Sequence, residues 1–97
     1  MVAEVKKYKN GSTRIRVDET KFNFFNSDEY IIKTFDNGFS ISKPNLDYIG
    51  KTYKATRQKD NHISISTVKD ISVGMYFLDE ESNEDVSYFI NENYLEK

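Results

Sequence analysis

The sequence predicts one small, mainly β domain: a barrel of two strand–turn–hairpin units with short helical turns. Three observations carry this. Aromatic residues make up 14% of the chain, divided between 7 Tyr and 7 Phe, and with the β-branched residues they suit a pleated, half-buried surface. Short runs of period-two alternation recur between turn residues, and no long helical period appears. The order of these runs in the first half is repeated in the second, which predicts a pseudo-repeat of residues 2–44 and 52–90 inside a single domain, 1–97.

Val2 to Tyr8 alternates loosely and reads as a first strand ending at the turn Asn10-Gly11. Thr13-Arg14-Ile15-Arg16-Val17 alternates strictly, with Ile15 and Val17 on one face and Arg14 and Arg16 on the other. Asp18-Glu19-Thr20-Lys21 caps one expected helical turn, after which Phe22, Phe24 and Phe25 return to the core. Tyr30 to Phe35 and Phe39 to Ser42 flank Asp36-Asn37-Gly38, a strong hairpin signal if Asn37 and Gly38 both take positive φ in the turn. The connector, residues 45–51, follows Pro44 and ends at Gly50-Lys51, so Asn45 to Ile49 is expected to form one helical turn.

The strand pattern then resumes at Thr52 to Arg57, turns at Lys59-Asp60-Asn61, and alternates again in His62-Ile63-Ser64-Ile65-Ser66. Met75 to Leu78 and Val86 to Ile90 form a last hairpin around Asp79 to Asp85, and residues 91–97 are a tail in which Tyr94 and Leu95 can dock. Laid over each other, Val5-Lys6 matches Tyr53-Lys54, Arg14 to Val17 matches His62 to Ile65, and Tyr30-Ile31-Ile32 matches Tyr76-Phe77-Leu78.

Composition sets the chemical limits. With no cysteine there are no disulfides and no thiolate sites. No apolar run nears the ~20 residues that span a bilayer, and Met1 to Lys7 lacks a signal-peptide core, so a cytoplasmic protein is expected. The net charge of −2 hides an asymmetry: residues 1–59 carry 12 Lys/Arg against 7 Asp/Glu, and residues 60–97 carry 2 against 9. Such a split predicts one face for an anionic partner. The basic residues fall in two clusters, Lys6, Lys7, Lys9, Arg14 and Arg16, then Lys51, Lys54, Arg57 and Lys59. On a barrel with approximate two-fold symmetry these would join into one surface suited to phosphates, with Tyr8, Asn10, Ser12, Thr13 and Gln58 adding hydrogen bonds. Tyr8 and Tyr53 are the tyrosines most expected to be exposed.

Val5 to Val17, then a short helical turn, Asp28-Glu29-Tyr30 and a hairpin closing at Phe39-Ser40-Ile41-Ser42-Lys43-Pro44, resemble the AbrB/MazE swapped-hairpin domain. Residues 52–90 resemble a second, degenerate copy with Val73-Gly74-Met75-Tyr76 at its turn. The resemblance implies a swapped-hairpin barrel completed within one chain, and a DNA-binding transcriptional regulator whose Arg and Lys side chains contact the major groove. Arg14, Arg16 and Arg57 are then the side chains expected to reach bases. The sequence departs from the family in lacking its Ile-Pro pair after the second strand, where Arg16-Val17 and Ser64-Ile65 stand, and its Leu-rich helix face.

Other sites carry less. The acidic run Asp79 to Asp85 lacks the alternation and the glycine of a calcium loop and is expected to be a solvated turn, or else a contact for a protein partner. His62, the single histidine, has no partner set for catalysis or metal binding and is expected at the surface of the basic region. No phosphate-cradling glycine loop is present. The expectation is therefore a non-enzymatic protein without cofactor or metal, a monomer or homodimer of phage or bacterial type. The alternative is a small β interaction protein, antitoxin-like or phage-encoded, acting on a protein partner.

Overall fold

A computed structural model describes residues 2–18, 27–58, 62–83 and 85–94. Eight strands form: β1 (Val2–Lys7), β2 (Thr13–Val17), β3 (Glu29–Phe35), β4 (Gly38–Ser42), β5 (Tyr53–Arg57), β6 (Ile63–Thr67), β7 (Gly74–Leu78) and β8 (Val86–Asn91). They close into an antiparallel barrel in the order β1-β2-β6-β5-β3-β4-β8-β7. Closure leaves no strand edge unpaired. Among the described residues the one helical element is a 3-10 turn, Glu92–Tyr94, and no helix is long and apolar enough to cross a membrane.

Alternation builds the core. Ala3 and Val5, Ile15 and Val17, Tyr30 and Ile32, Phe39 and Ile41, Ile63 and Ile65, Tyr76 and Phe89 all point inward and are buried. Each Val, Ile or Phe among them contributes on the order of 1.5–3 kcal/mol by leaving water. Phe39 stacks on Phe89 at 5.3 Å and meets Tyr76 at 4.9 Å, while Ile71 joins from the β6–β7 connection.

The two units interlock. Within each half only the hairpins β1–β2 and β3–β4, or β5–β6 and β7–β8, are paired; β2–β6, β1–β7, β3–β5 and β4–β8 join one half to the other. Exchanging β1–β4 with β5–β8 leaves every neighbour relation unchanged, so the topology has a two-fold axis. The first-hairpin turns are closed by the same bond, Tyr8 N to Ser12 O and Gln58 N to His62 O, 50 residues apart. That spacing makes Ala3 the counterpart of Tyr53 and Arg14 the counterpart of Ser64. The later match is consistent with it: Tyr30 pairs with Tyr53 as Tyr76 pairs with Ala3.

Three local expectations are revised. The expected overlay of Arg14 to Val17 on His62 to Ile65 is two residues short, a shift that keeps every inward residue inward and is therefore invisible to alternation. The two turn residues of the β3–β4 hairpin are Asp36 and Asn37, and Gly38 is the first residue of β4. The glycines of positive φ are Gly11 and Gly74, and Gly38 is not one of them. Gly38 is needed for a different reason, since a Cβ would collide with the Phe89 carbonyl of β8. The connector forms a turn, not a helix: Asn45 Oδ1 accepts from Asp47 N at 3.0 Å and Asn45 O from Tyr48 N at 3.2 Å. The Asn45 side chain closes an Asx turn here, and the chain does not go on into a helix. The expected helical turn at residues 19–21, Phe22, Phe24 and Phe25, the turn at residues 59–61, and Leu95 lie outside the described residues.

Candidate nucleic-acid interface

The outward residues of β1, β2, β6 and β5 form one polar face. Strand register arranges them in rows. Lys6 lies opposite Arg14, and Arg14 opposite Ser66; Glu4 lies opposite Arg16, Arg16 opposite Ser64, and Ser64 opposite Thr56. Lys54 is exposed on the same outward face of β5, two residues before Thr56 and opposite Glu29 of β3. The face thus carries four cations from strands (Lys6, Arg14, Arg16 and Lys54) interleaved with carboxylates: Glu4 opposite Arg16, Asp18 in a recess with Arg16, and Glu29 opposite Lys54.

Short side chains make the floor. Ser64 is only 6% exposed, and the long arms of Arg14 and Arg16 lie half-buried beside it. Together with Glu4, Lys6, Tyr8 and Gln58 they line an open recess of about 190 Å³. The Arg14 guanidinium sits over the Tyr8 ring, 4.7 Å from its centroid, an arrangement that holds the charge in place at low entropic cost. Among the described residues, Arg14 Nε and Ser64 Oγ are buried without a hydrogen-bond partner. Lys6 Nζ is 3.5 Å from Glu4 Oε1, an exposed pair of small energetic weight.

The other expected basic residues go elsewhere. Lys7 and Arg57 are counterparts in the two halves, each the last residue of a strand and each of inward parity, so they leave the barrel at opposite ends. Lys7 Nζ bonds Asp70 Oδ1 at 2.8 Å, and this contact holds the exposed Asp70 carboxyl below its ordinary pKa. Arg57 lies close enough to Tyr30 to favour its ionised form. Lys9 is exposed in the β1–β2 turn beside Asn10, Ser12 and Arg14, at the border of the polar face. Lys51 belongs to the connector, its Nζ 5.4 Å from the Tyr53 ring centroid. Lys59 lies outside the described residues. The two clusters are therefore not joined symmetrically: β2 supplies both arginines and β1 supplies Lys6, while β5 and β6 supply the serine and threonine floor plus Lys54.

Several supporting residues are also revised. Thr13 is 2% exposed and faces the core, and Tyr53 is buried as well, whereas Tyr8 is 41% exposed. Asn10 Oδ1 is already engaged by Ser12 N and Ser12 Oγ. Gln58 does line the recess, and His62 lines a neighbouring one with Arg16 and Asp18. The residues that sequence reasoning missed are Ser64, Ser66 and Thr56. Alternation already put the serines outward, but only the β2–β6 register places them under the arginines.

The acidic loop closes on itself. Asn83 Oδ1 accepts from Asp85 N and Val86 N, and Ser82 Oγ accepts from Tyr88 N at 2.8 Å. Glu80, Glu81 and Asp85 are left exposed. Among the described residues no three His, Cys, Asp or Glu groups converge on a metal site.

The chain matches no family model, no curated protein and no solved structure.

Proposed function

We propose that this protein is a non-enzymatic DNA-binding regulator of AbrB-like type that grips the duplex backbone with the outward face of β1, β2, β6 and β5. The observation that carries the reading is the row structure of that face. Arg14 and Arg16 project from one strand at about 7 Å spacing, flanked by Lys6 and Lys54, over a floor of serines that leaves Arg14 Nε and Ser64 Oγ without partners. Phosphate oxygens pair with guanidinium and ammonium groups, and phosphate attraction supplies most of the sequence-independent affinity for DNA. Arg14 and Arg16 are the side chains placed to reach base edges; Arg57, at the barrel end, is not part of this grip.

Four strand-borne cations predict a modest salt dependence, a log–log slope of about −3 to −4 on duplex DNA. Fluorescence anisotropy across a salt series measures it directly. The double variant Arg14→Ala, Arg16→Ala is expected to flatten the slope by about two and to weaken binding throughout. Absence of binding at low salt, or affinity that does not fall with salt, sinks the reading.

A second reading, a small β interaction protein of antitoxin-like or phage-encoded kind, is favoured by the exposed carboxylates Glu80, Glu81 and Asp85 in the acidic segment after β7. Capture of a basic protein that is lost in Glu80→Gln, Glu81→Gln would replace the DNA reading if the salt series is negative.

A further inference from the structure

The β1–β2 turn sets an exposed aromatic ring beside a recess that holds cations and no acid. Tyr8 N donates to Ser12 O and Tyr8 O accepts from Gly11 N, both at 3.0 Å, so the turn fixes the backbone that carries the ring. The Arg14 guanidinium lies over one face of the ring, and Tyr8 still keeps 41% of its surface exposed. These two residues border two recesses at once. In the one along the strands they are joined by Lys6 and Arg16, with Glu4 among them. The other, at the turn, is an open recess of about 790 Å³ lined besides by Lys9, Asn10, Ser12 and Ser66, with no carboxylate. Ser12 N and Ser12 Oγ both donate to Asn10 Oδ1, at 3.0 and 2.7 Å, so the Nδ2 of that amide is the end left to donate.

We propose that this turn takes one unpaired nucleotide of the bound DNA, its base stacked on Tyr8 and its phosphate in the recess beside Lys9 and Arg14. The proposal rests on the DNA reading of the adjoining face and names the DNA which that face prefers. Charge selects the first half of the ligand. Lys9, Arg14 and Asn10 Nδ2 all donate, and two of them are cations, so the recess at the turn attracts an anion and repels an amine. The ring selects the second half. A bare anion leaves Tyr8 unused, whereas the flat face of a base covers it, and an aromatic ring beside a cationic groove is how proteins hold unstacked nucleic acid. A base within a duplex is covered by its neighbours on both sides, so an unpaired one reaches the ring at least cost. Stacking of this kind is indifferent to which base it holds. Reading adenine takes both ends of an Asn amide, and the Asn10 carbonyl is engaged within the turn.

Fluorescence anisotropy on the full chain tests this with three duplexes of one sequence: fully paired, carrying one extra unpaired nucleotide, and carrying an abasic residue in place of that nucleotide. The abasic duplex keeps the interrupted backbone and its charge but has no base to stack. The wild type is expected to bind the bulged duplex about tenfold tighter than the abasic one. Tyr8→Phe is expected to keep that ratio, and Tyr8→Leu and Tyr8→Ala to bring it close to one, with the β circular dichroism spectrum of each unchanged. The ratio is internal to each variant, so a general loss of affinity from freeing Arg14 does not enter it. A wild type that binds the bulged and abasic duplexes alike, or a ratio that survives in Tyr8→Ala, overturns the proposal and leaves the DNA reading standing. Absence of binding to all three duplexes at low salt overturns both.

Discussion

Tyr30 shows how one buried residue couples the core to solution conditions. Its ring is fully buried in the barrel, and its hydroxyl accepts a hydrogen bond from Ser27 N at 3.0 Å. Burial raises its pKa above the ordinary 10.0, outweighing the Ser27 bond and the Arg57 charge, which both favour the phenolate. A raised folded-state pKa means stability that is intact below 10.0 and is lost as pH climbs from there through the folded value, because the unfolded chain releases the proton first. Urea midpoints are therefore expected to fall between pH about 8 and about 11, and Tyr30→Phe to remove part of that fall. At neutral pH the same substitution costs about 1 kcal/mol by stranding the Ser27 N–H. Arg57→Gln removes a charge that favours ionisation, so the tyrosinate absorbance step of Tyr30 moves to higher pH. Asp70 has the opposite sign. Its carboxyl is held low chiefly by the hydrogen bond from Lys7, so its contribution is present above the ordinary carboxylate range and is lost as pH falls. Because Asp70 is fully exposed, that contribution is small and fades with salt.

At the scale of the element, two glycines are required for different reasons, and substitution separates them. Gly11 sits in the β1–β2 turn at φ +84 with open space around its Cα. Gly11→Ala is expected to cost about 1–2 kcal/mol of backbone strain, and Gly11→Asn less, because Asn tolerates the left-handed region. Gly38 has ordinary φ but faces the Phe89 backbone, which cannot move without breaking the β4–β8 ladder. Gly38→Ala is expected to cost about 3 kcal/mol, and Gly38→Asn no less; denaturant titration of the four variants decides. The same contrast marks what the sequence made legible. Alternation in Thr13 to Val17 correctly set Ile15 and Val17 inside and both arginines outside, because that information is local. Asn37-Gly38 correctly announced a hairpin, yet the role of Gly38 depends on a strand some 50 residues away. Lys7 and Arg57 illustrate a further limit. Their parity is inward, and only their position at strand ends, where the chain leaves the barrel, lets them remain exposed. Clustering along the chain thus grouped them with Arg14 and Arg16, and strand geometry separates them.

At the scale of the whole molecule, the interlocked topology determines how the chain can be divided. Neither half contains any pairing between its two hairpins, so neither has a closed sheet of its own. Cut between Asp47 and Tyr48 in the exposed connector, the fragments 1–47 and 48–97 are each expected to lack cooperative structure. Mixed at equal amounts, they are expected to restore a single cooperative β transition by circular dichroism. The asymmetry of the polar face then decides which pairing wins. In the intact barrel Arg14 faces Ser66 and Arg16 faces Ser64. Two copies of the first fragment in the same arrangement would instead set Arg14 against Arg16 twice, because residue 66 is the counterpart of residue 16. Like charges directly opposite on adjacent strands are destabilising, and here four guanidinium groups would crowd one patch. The 1:1 heterodimer is therefore expected to outcompete self-association of fragment 1–47. Arg14→Ser, Arg16→Ser in that fragment is expected to relieve the repulsion and permit a homodimer. Size-exclusion chromatography with light scattering distinguishes the species. If fragment 1–47 folds alone as a monomer, or if the mixture stays unfolded, the interlocking of the halves does not hold the barrel together. The serines that stand in the second half where the first has its paired arginines have two consequences at once. They let the two halves meet across β2 and β6 without repulsion, and they confine the arginine charge to one side of the polar face.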